Sequence, residues 1–262
     1  MTQKNLLYLI YTLYLPYPCL ILNLLMSMNY KSFSLVFLLL LMSFNSFPDK
    51  TNTAFISEKP AVDTESKIVA VYHQLDANSF ALPSFESFSV ALEGFQLLKE
   101  KGIVKKNILT LVDFSLASTT KRLWVIDLDQ NRVLFQTLVA HGRNTGEDFA
   151  KAFSNKAESF QSSLGFYVTA EVYNGKHGLS LKLDGLQKGL NDKARERAVV
   201  IHGADYVSES FIKQNKRLGR SQGCPAVPVE MNEKIINAIK DKSCLFIYHP
   251  TAKEEIVAKL SA

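Results

Sequence analysis

From Lys121 onward the chain alternates short apolar runs with polar turns, a pattern that predicts strands rather than helices. Residues 122–128 and 133–139 flank the polar stretch Asp129-Gln130-Asn131-Arg132, which predicts a hairpin. Further strands are predicted over residues 165–172, 179–183, 198–202 and 244–249. Turn-rich stretches at 141–146 and 173–178 separate them. Pro228 ahead of residues 229–240 predicts a helix with proline in its first turn. Earlier in the chain, Phe85, Phe88, Leu92, Phe95 and Leu98 recur at near-helical spacing. Ser84 follows Pro83 as an N-cap, and Gly102 supplies a stop. Residues 68–112 therefore read as a helical extension packed on the main domain. Many short strands with few helices predict a mainly β (α+β) domain, a curved sheet or sandwich with flanking helices.

The first 47 residues differ in kind. They contain Lys4 and Lys31 and no acidic residue. One apolar run, at 6–25, is interrupted by Pro16 and Pro18. A second, at 34–42, has the length of a signal-peptide core and is short for a membrane span. Met28-Asn29-Tyr30-Lys31 before it has the form of a start with a charged leader, so residues 1–27 read as an over-called upstream start. A membrane anchor through the N-terminus is the competing reading. Residues 48–67 are polar and read as a tether. The expected organisation is then 1–47 signal peptide or anchor, 48–67 tether, 68–112 helical extension and 113–262 catalytic domain. The protein is expected to be exported to the periplasm or cell envelope.

The formal charge of +5 includes the two leader lysines, and no basic run or Lys/Arg–aromatic stripe stands out. Nucleic-acid binding is excluded on that ground. The five histidines, at 73, 141, 177, 202 and 249, lack metal-ligand spacing, and no metal or cofactor is expected. Beyond the leader stand two cysteines, Cys224 and Cys244. A disulfide between them is the rival reading for an oxidising compartment. It is disfavoured because Cys244 sits in an apolar strand run and Cys224 in a glycine- and proline-flanked loop.

Cys224 lies in Gly219-Arg220-Ser221-Gln222-Gly223-Cys224-Pro225-Ala226, after Ile201-His202-Gly203. A thiol in a tight, partly exposed turn with a histidine in reach has the makings of a nucleophile and its base. His202 ends a β-branched run and is expected to project into a cleft, with Gly203 turning the chain beside it. The histidine is expected to take the thiol proton and form an ion pair. Backbone N–H groups of the loop at Gln222, Gly223 and Cys224 are expected to face a developing oxyanion. Ser221 is expected to orient the loop or the histidine. No Asp or Asn completes a triad in sequence, which leaves a backbone carbonyl to orient the imidazole. Arg220 is the candidate for binding a substrate carboxylate. Tyr206 and His177 are weaker candidates for lining the cleft. His141 reads as structural, and His73 and His249 as ordinary residues.

His202-Gly203 followed by Ser221-Gln222-Gly223-Cys224 resembles the L,D-transpeptidase catalytic domain family (YkuD-like), in its divergent murein branch. Ser162-Ser163-Leu164-Gly165-Phe166-Tyr167 is similar to that family's strand entry. The resemblance covers roughly residues 110–250. Gln222 stands where the common motif has histidine, and Pro225-Ala226 replaces the usual residues after the cysteine. The resemblance implies a curved mixed sheet of the L,D-transpeptidase type. It also implies acyl transfer between peptidoglycan stem peptides through a Cys224 thioester, giving 3–3 cross-links without a cofactor. Hydrolysis of the same bond, as an L,D-carboxypeptidase or amidase, is the alternative within enzymes. A non-catalytic peptidoglycan-binding envelope protein is the alternative outside them.

Overall fold

The computed structural model describes residues 61–260. The leader and most of the tether lie outside the described residues. The described chain begins inside the expected tether with a helix, α1 (Ala61–Gln74), followed by α2 (Phe85–Glu100). Ser84 caps α2, its hydroxyl accepting the Ser87 N–H at 3.2 Å. Gly102 leaves the helix at φ +68°, the left-handed region that glycine enters at least cost.

A strand, β1 (Ile108–Asp113), follows within the segment expected to be helical. The correction has a physical reason. Ile-Leu-Thr-Leu-Val is too short and too β-branched for a helix, and it is buried almost throughout. The predicted hairpin forms as β2 (Leu123–Asp127) and β3 (Arg132–Thr137). Then come β4 (Gly165–Gly175), β5 (Gly178–Gly185), β6 (Val200–Gly203), α3 (Glu209–Asn215), β7 (Ala226–Val227), α4 (Val229–Ile239), β8 (Cys244–Tyr248) and α5 (Lys253–Ala258).

The eight strands form one mixed sheet in the order β3-β2-β1-β8-β4-β5-β6-β7, with β1–β8 and β6–β7 parallel. Its two ends meet. Ala140, just beyond edge strand β3, bridges Ala226 in the opposite edge strand β7, and Gly142 bridges Ser221. The sheet therefore curls almost into a barrel, which spares both edges from lying open. The domain is the mainly β, curved mixed sheet with flanking helices that the sequence predicted.

The core lies between the sheet and its helices. Phe166 of β4 and Phe246 of β8 stack at 4.1 Å. Gly94 lets α2 rest on that pair, because a Cβ there would come within 2.1 Å of the Phe166 ring. Ile235, Ile236 and Ile239 bury one face of α4. A smaller apolar cluster, Leu138, Ala140, Ala204, Val207, Leu218 and Ala226, carries the segment between β6 and β7. The outer half of β4 and the first residue of β5 run out as an exposed hairpin.

Candidate active site

Beside the β4–β5 hairpin lies a cleft of about 690 Å³ whose lining includes Cys224, His202, Ser221, Gln222, Arg220, Tyr206 and His177. His202 reaches it from β6. Cys224 reaches it from the loop before β7, two residues ahead of Ala226, the parallel partner of His202. The β6–β7 pairing is thus what brings together two residues far apart in sequence.

His202 is buried, and its Nδ1–H donates to the Gly203 carbonyl at 2.9 Å. A carbonyl only accepts, so this bond fixes the tautomer and leaves the Nε2 lone pair as a base. Gly203 is itself buried against Asn232 and Val229 of α4. The sequence also offered Gly203 as a substrate contact; the contact the structure gives it in the site is the one its carbonyl makes with His202. Burial holds His202 below the ordinary histidine value; the charges of His177 and Lys176 lower it further, while the Gly203 bond pulls it back up.

Cys224 is half-buried, and Sγ donates to the Ala198 carbonyl at 3.7 Å. Burial pushes its thiol up, against the lowering pull of the Val200 N–H and the Arg197 charge. Burial thus disfavours the charged form of both groups, which weighs against the thiolate–imidazolium pair expected from the sequence. Cys244 is buried on β8, and both cysteines are free thiols.

Ser221 shapes the loop rather than the histidine. Its hydroxyl donates to the Cys224 carbonyl at 2.6 Å and accepts the Gly223 N–H at 3.0 Å. Gly223 sits at φ +123°, and a Cβ there would meet the Gln161 carbonyl at 2.8 Å. Its amide is consumed by Ser221, which corrects the expectation that all three loop amides face an oxyanion. The amides of Gln222 and Cys224 make no backbone–backbone hydrogen bond, and the Cys224 amide faces its own sulfur, so these two remain the donors for that role.

The loop is held from behind by residues 141–146 and 159–163. Ser221 N–H donates to the His141 carbonyl at 3.0 Å and Arg143 N–H to the Ser221 carbonyl at 2.8 Å. Ser162 Oγ donates to the Gly223 carbonyl at 3.2 Å. His141 lies behind the cleft as a buried structural residue, accepting from Arg122 Nη2 at 2.8 Å on Nδ1 and donating from Nε2 to the Gly146 carbonyl at 3.2 Å.

Arg220 lines the cleft, but its Nη1 pairs with Glu147 at 2.6 Å, and Glu147 also pairs with Arg217. The carboxylate it meets is thus one of the protein's own, shared with Arg217. Tyr206 lines the cleft, with burial pushing its hydroxyl up to about 12. His177, at the tip of the β4–β5 hairpin, stacks on His202 with ring centroids 4.5 Å apart and planes 23° from parallel. Among the described residues no three His, Cys, Asp or Glu side chains cluster to hold a metal.

A family model for the L,D-transpeptidase catalytic domain matches residues 81–248. The chain belongs to this family. The match takes in α2 and runs to the end of β8, so every L,D-transpeptidase motif quoted above lies within it. No curated protein matches the chain. Among solved structures, the chain is similar to an L,D-transpeptidase from Mycobacterium smegmatis, at 10% identity and TM-score 0.34, over 55% of this chain and 59% of that one. It is also similar to the helical cell shape determining protein Pgp2 from Campylobacter jejuni, at 17% identity and TM-score 0.36, over 60% of this chain and 55% of that one. A third is an L,D-transpeptidase from Xylanimonas cellulosilytica, at 12% identity and TM-score 0.32, over 70% of this chain and 93% of that one.

Two contributors to this L,D-transpeptidase cleft escaped the sequence reading. Tyr173 enters because β4 runs on past residue 172 into the overhanging hairpin, and Arg197 enters from the turn before β6. Arg197 carried a signal that went unused, a cation at the mouth of the strand that ends in His202. The His177 stack leads to a prediction. Aromatic contact of this kind is worth about 0.5–1.5 kcal/mol. His177→Ala is expected to slow alkylation of Cys224 at neutral pH by about 3- to 10-fold on that scale. His177→Phe, which keeps the stacked ring, is expected to stay near wild type. Equal rates in the alanine variant and wild type would show that the Gly203 bond alone holds the imidazole.

Proposed function

We propose that the chain is a cysteine acyltransferase acting on peptidoglycan stem peptides in the cell envelope. The observation that carries this reading is a half-buried thiol and a buried, carbonyl-anchored histidine lining one cleft of an L,D-transpeptidase domain. Cys224 Sγ attacks the carbonyl between the L-centre of meso-diaminopimelate and the terminal D-residue of a tetrapeptide stem, and its proton passes to His202 Nε2. The Gln222 and Cys224 amides receive the oxyanion. The C–N bond breaks as Nε2 returns the proton to the departing amine of the D-residue, leaving a thioester. The side-chain amine of a second stem attacks that thioester, forming a 3–3 cross-link and restoring the thiol. The chemistry consumes no cofactor.

The test is the intact mass and product analysis of the chain mixed with disaccharide-tetrapeptide, beside Cys224→Ala. A stem adduct lacking the D-residue, seen only with the thiol present, together with a dimeric product, is the expected result. A monomeric tripeptide in place of the dimer would reassign the enzyme to hydrolysis. No adduct and no turnover with stems of varied composition would leave a peptidoglycan-binding protein.

A further inference from the structure

Arg197 is half-buried on the wall of the cleft, and both of its Nη groups are engaged without meeting a carboxylate. Nη1 donates to the Ser154 carbonyl at 2.8 Å and to Ser163 Oγ. Nη2 donates to the Gln161 carbonyl at 2.6 Å and to Ser159 Oγ at 3.3 Å. All four acceptors are neutral. Its neighbours behave differently: Arg195 is paired with Asp184 and Glu171, and Arg220 with Glu147. Arg197 is therefore the guanidinium on this wall that meets no carboxylate among the described residues.

That charge lies against the nucleophile loop. A Cβ built on Gly223 would stand 3.3 Å from Arg197 Nη2. The next residue along, Ala198, supplies the carbonyl that accepts from Cys224 Sγ. Keeping a guanidinium partly out of water without a counter-ion costs stability. Four neutral acceptors clamp it in place but do not neutralise it. Both Nη groups have spent their hydrogens, so a forked grip on a substrate carboxylate is not open to it. What it offers is a fixed positive field beside a partly buried sulfur.

The other charges around the sulfur do not replace it. Lys176 stands on the exposed hairpin, and Arg220 is paired with Glu147, which Arg217 shares. Glu158 and Glu196, on the rim, are exposed. His202, His177, Tyr206 and Tyr173 are the further titratable side chains that line the cleft.

We propose that Arg197 is an electrostatic positioning residue, a clamped cation that stabilises the negative charge Cys224 carries as its proton leaves. The inference rests on reading Cys224 as the nucleophile, and it deepens that reading by naming the charge that offsets the burial of the sulfur. In accord with it, the thiol and the guanidinium each shift the other toward the charged form.

The experiment follows alkylation of Cys224 by iodoacetamide in the full chain, read from the mass of the Cys224 peptide so that the other cysteines do not interfere. Arg197→Gln is expected to slow alkylation by about 10-fold or more at neutral pH and to move the alkaline rise of the rate upward. Arg197→Lys keeps the charge while losing the fork, and is expected to recover most of the rate. Arg195→Gln removes an equal charge two residues away and is expected to match wild type. Equal slowing in the glutamine and lysine variants would overturn the proposal in favour of simple bracing of the 154–163 loop. A wild-type rate in Arg197→Gln would overturn it outright. Alkylation needs no peptidoglycan, so failure of the stem-peptide assay with this contrast intact would sink the proposed substrate and support the role of Arg197.

Discussion

Replacing His202 by alanine is expected to slow acylation of Cys224 by about 10²- to 10⁴-fold, the usual worth of a positioned general base. The size follows from the resting state. Burial pushes the thiol up, so little free thiolate exists at neutral pH and attack depends on a base that takes the proton as the new bond forms. His202 is built for that. The Gly203 carbonyl holds the proton on Nδ1, and burial keeps the ring neutral to lower pH than a free histidine. The wild-type rate should then stay level across neutral pH and fall only in acid, below the ordinary histidine value of about 6.5. The alanine variant should lose that plateau and keep only the alkaline rise, where the thiol ionises unaided. His202→Gln, similar in length and without a base at working pH, should behave the same way. Single-turnover acylation and alkylation, each followed from acid to alkaline pH, give the profiles. An alanine variant with the wild-type plateau would show that another group takes the proton.

The sequence carried the nucleophile and base because their local surroundings are unusual. A cysteine between glycine and proline cannot belong to a regular element, and a histidine closing a β-branched run has to leave the sheet at its end. The hairpin at β2–β3, the capped helix α2 and the helix after Pro228 were legible for the same reason, since their signals lie within a few residues. β1 was hidden only by being grouped with the helical stretch before it. The curling of the sheet was not legible. It depends on Ala140 meeting Ala226 and Gly142 meeting Ser221, pairings between segments about eighty residues apart that no local pattern announces. The same closure decides what the loop amides do. Only with Ser221 held between His141 and Arg143 does its hydroxyl turn inward and take the Gly223 amide. Arg220 and Arg197 look alike in sequence. Three-dimensional packing gives one a carboxylate and leaves the other without.

Arg122→Leu is expected to destabilise the domain by about 3 kcal/mol, a large share of the roughly 5–15 kcal/mol that holds a typical domain folded. Arg122 is completely buried. It donates to the Val139 carbonyl from Nε at 3.2 Å and from Nη2 at 3.0 Å, to the Leu116 carbonyl at 2.6 Å and to His141 Nδ1 at 2.8 Å. Its carbon stays over the Phe114 ring at 4.8 Å. Leucine strips three buried acceptors of their donor, each costing about 1–3 kcal/mol. Against that stands relief, because burial pulls the guanidinium down to about 9 even with Asp148 and Asp113 supporting its charge. The lost bonds should outweigh the relief, and the urea midpoint should fall by roughly 1–2 M with the slope unchanged. An unchanged midpoint would mean that the relief cancels all the lost bonds. The pH dependence tests the same contact. Burial first, and the Arg122 charge second, hold His141 at about 4 in the folded state. The unfolded chain protonates this histidine near 6.5, so folded stability is full above that value and is lost as pH falls towards 4, by roughly 3 kcal/mol. Without Arg122 the imidazole loses a repelling charge and gains a free Nδ1, so the variant should lose less of its remaining stability over the same acid range. The loop that carries Cys224 hangs from the His141 backbone, so this buried cation supports the nucleophile from two layers behind it.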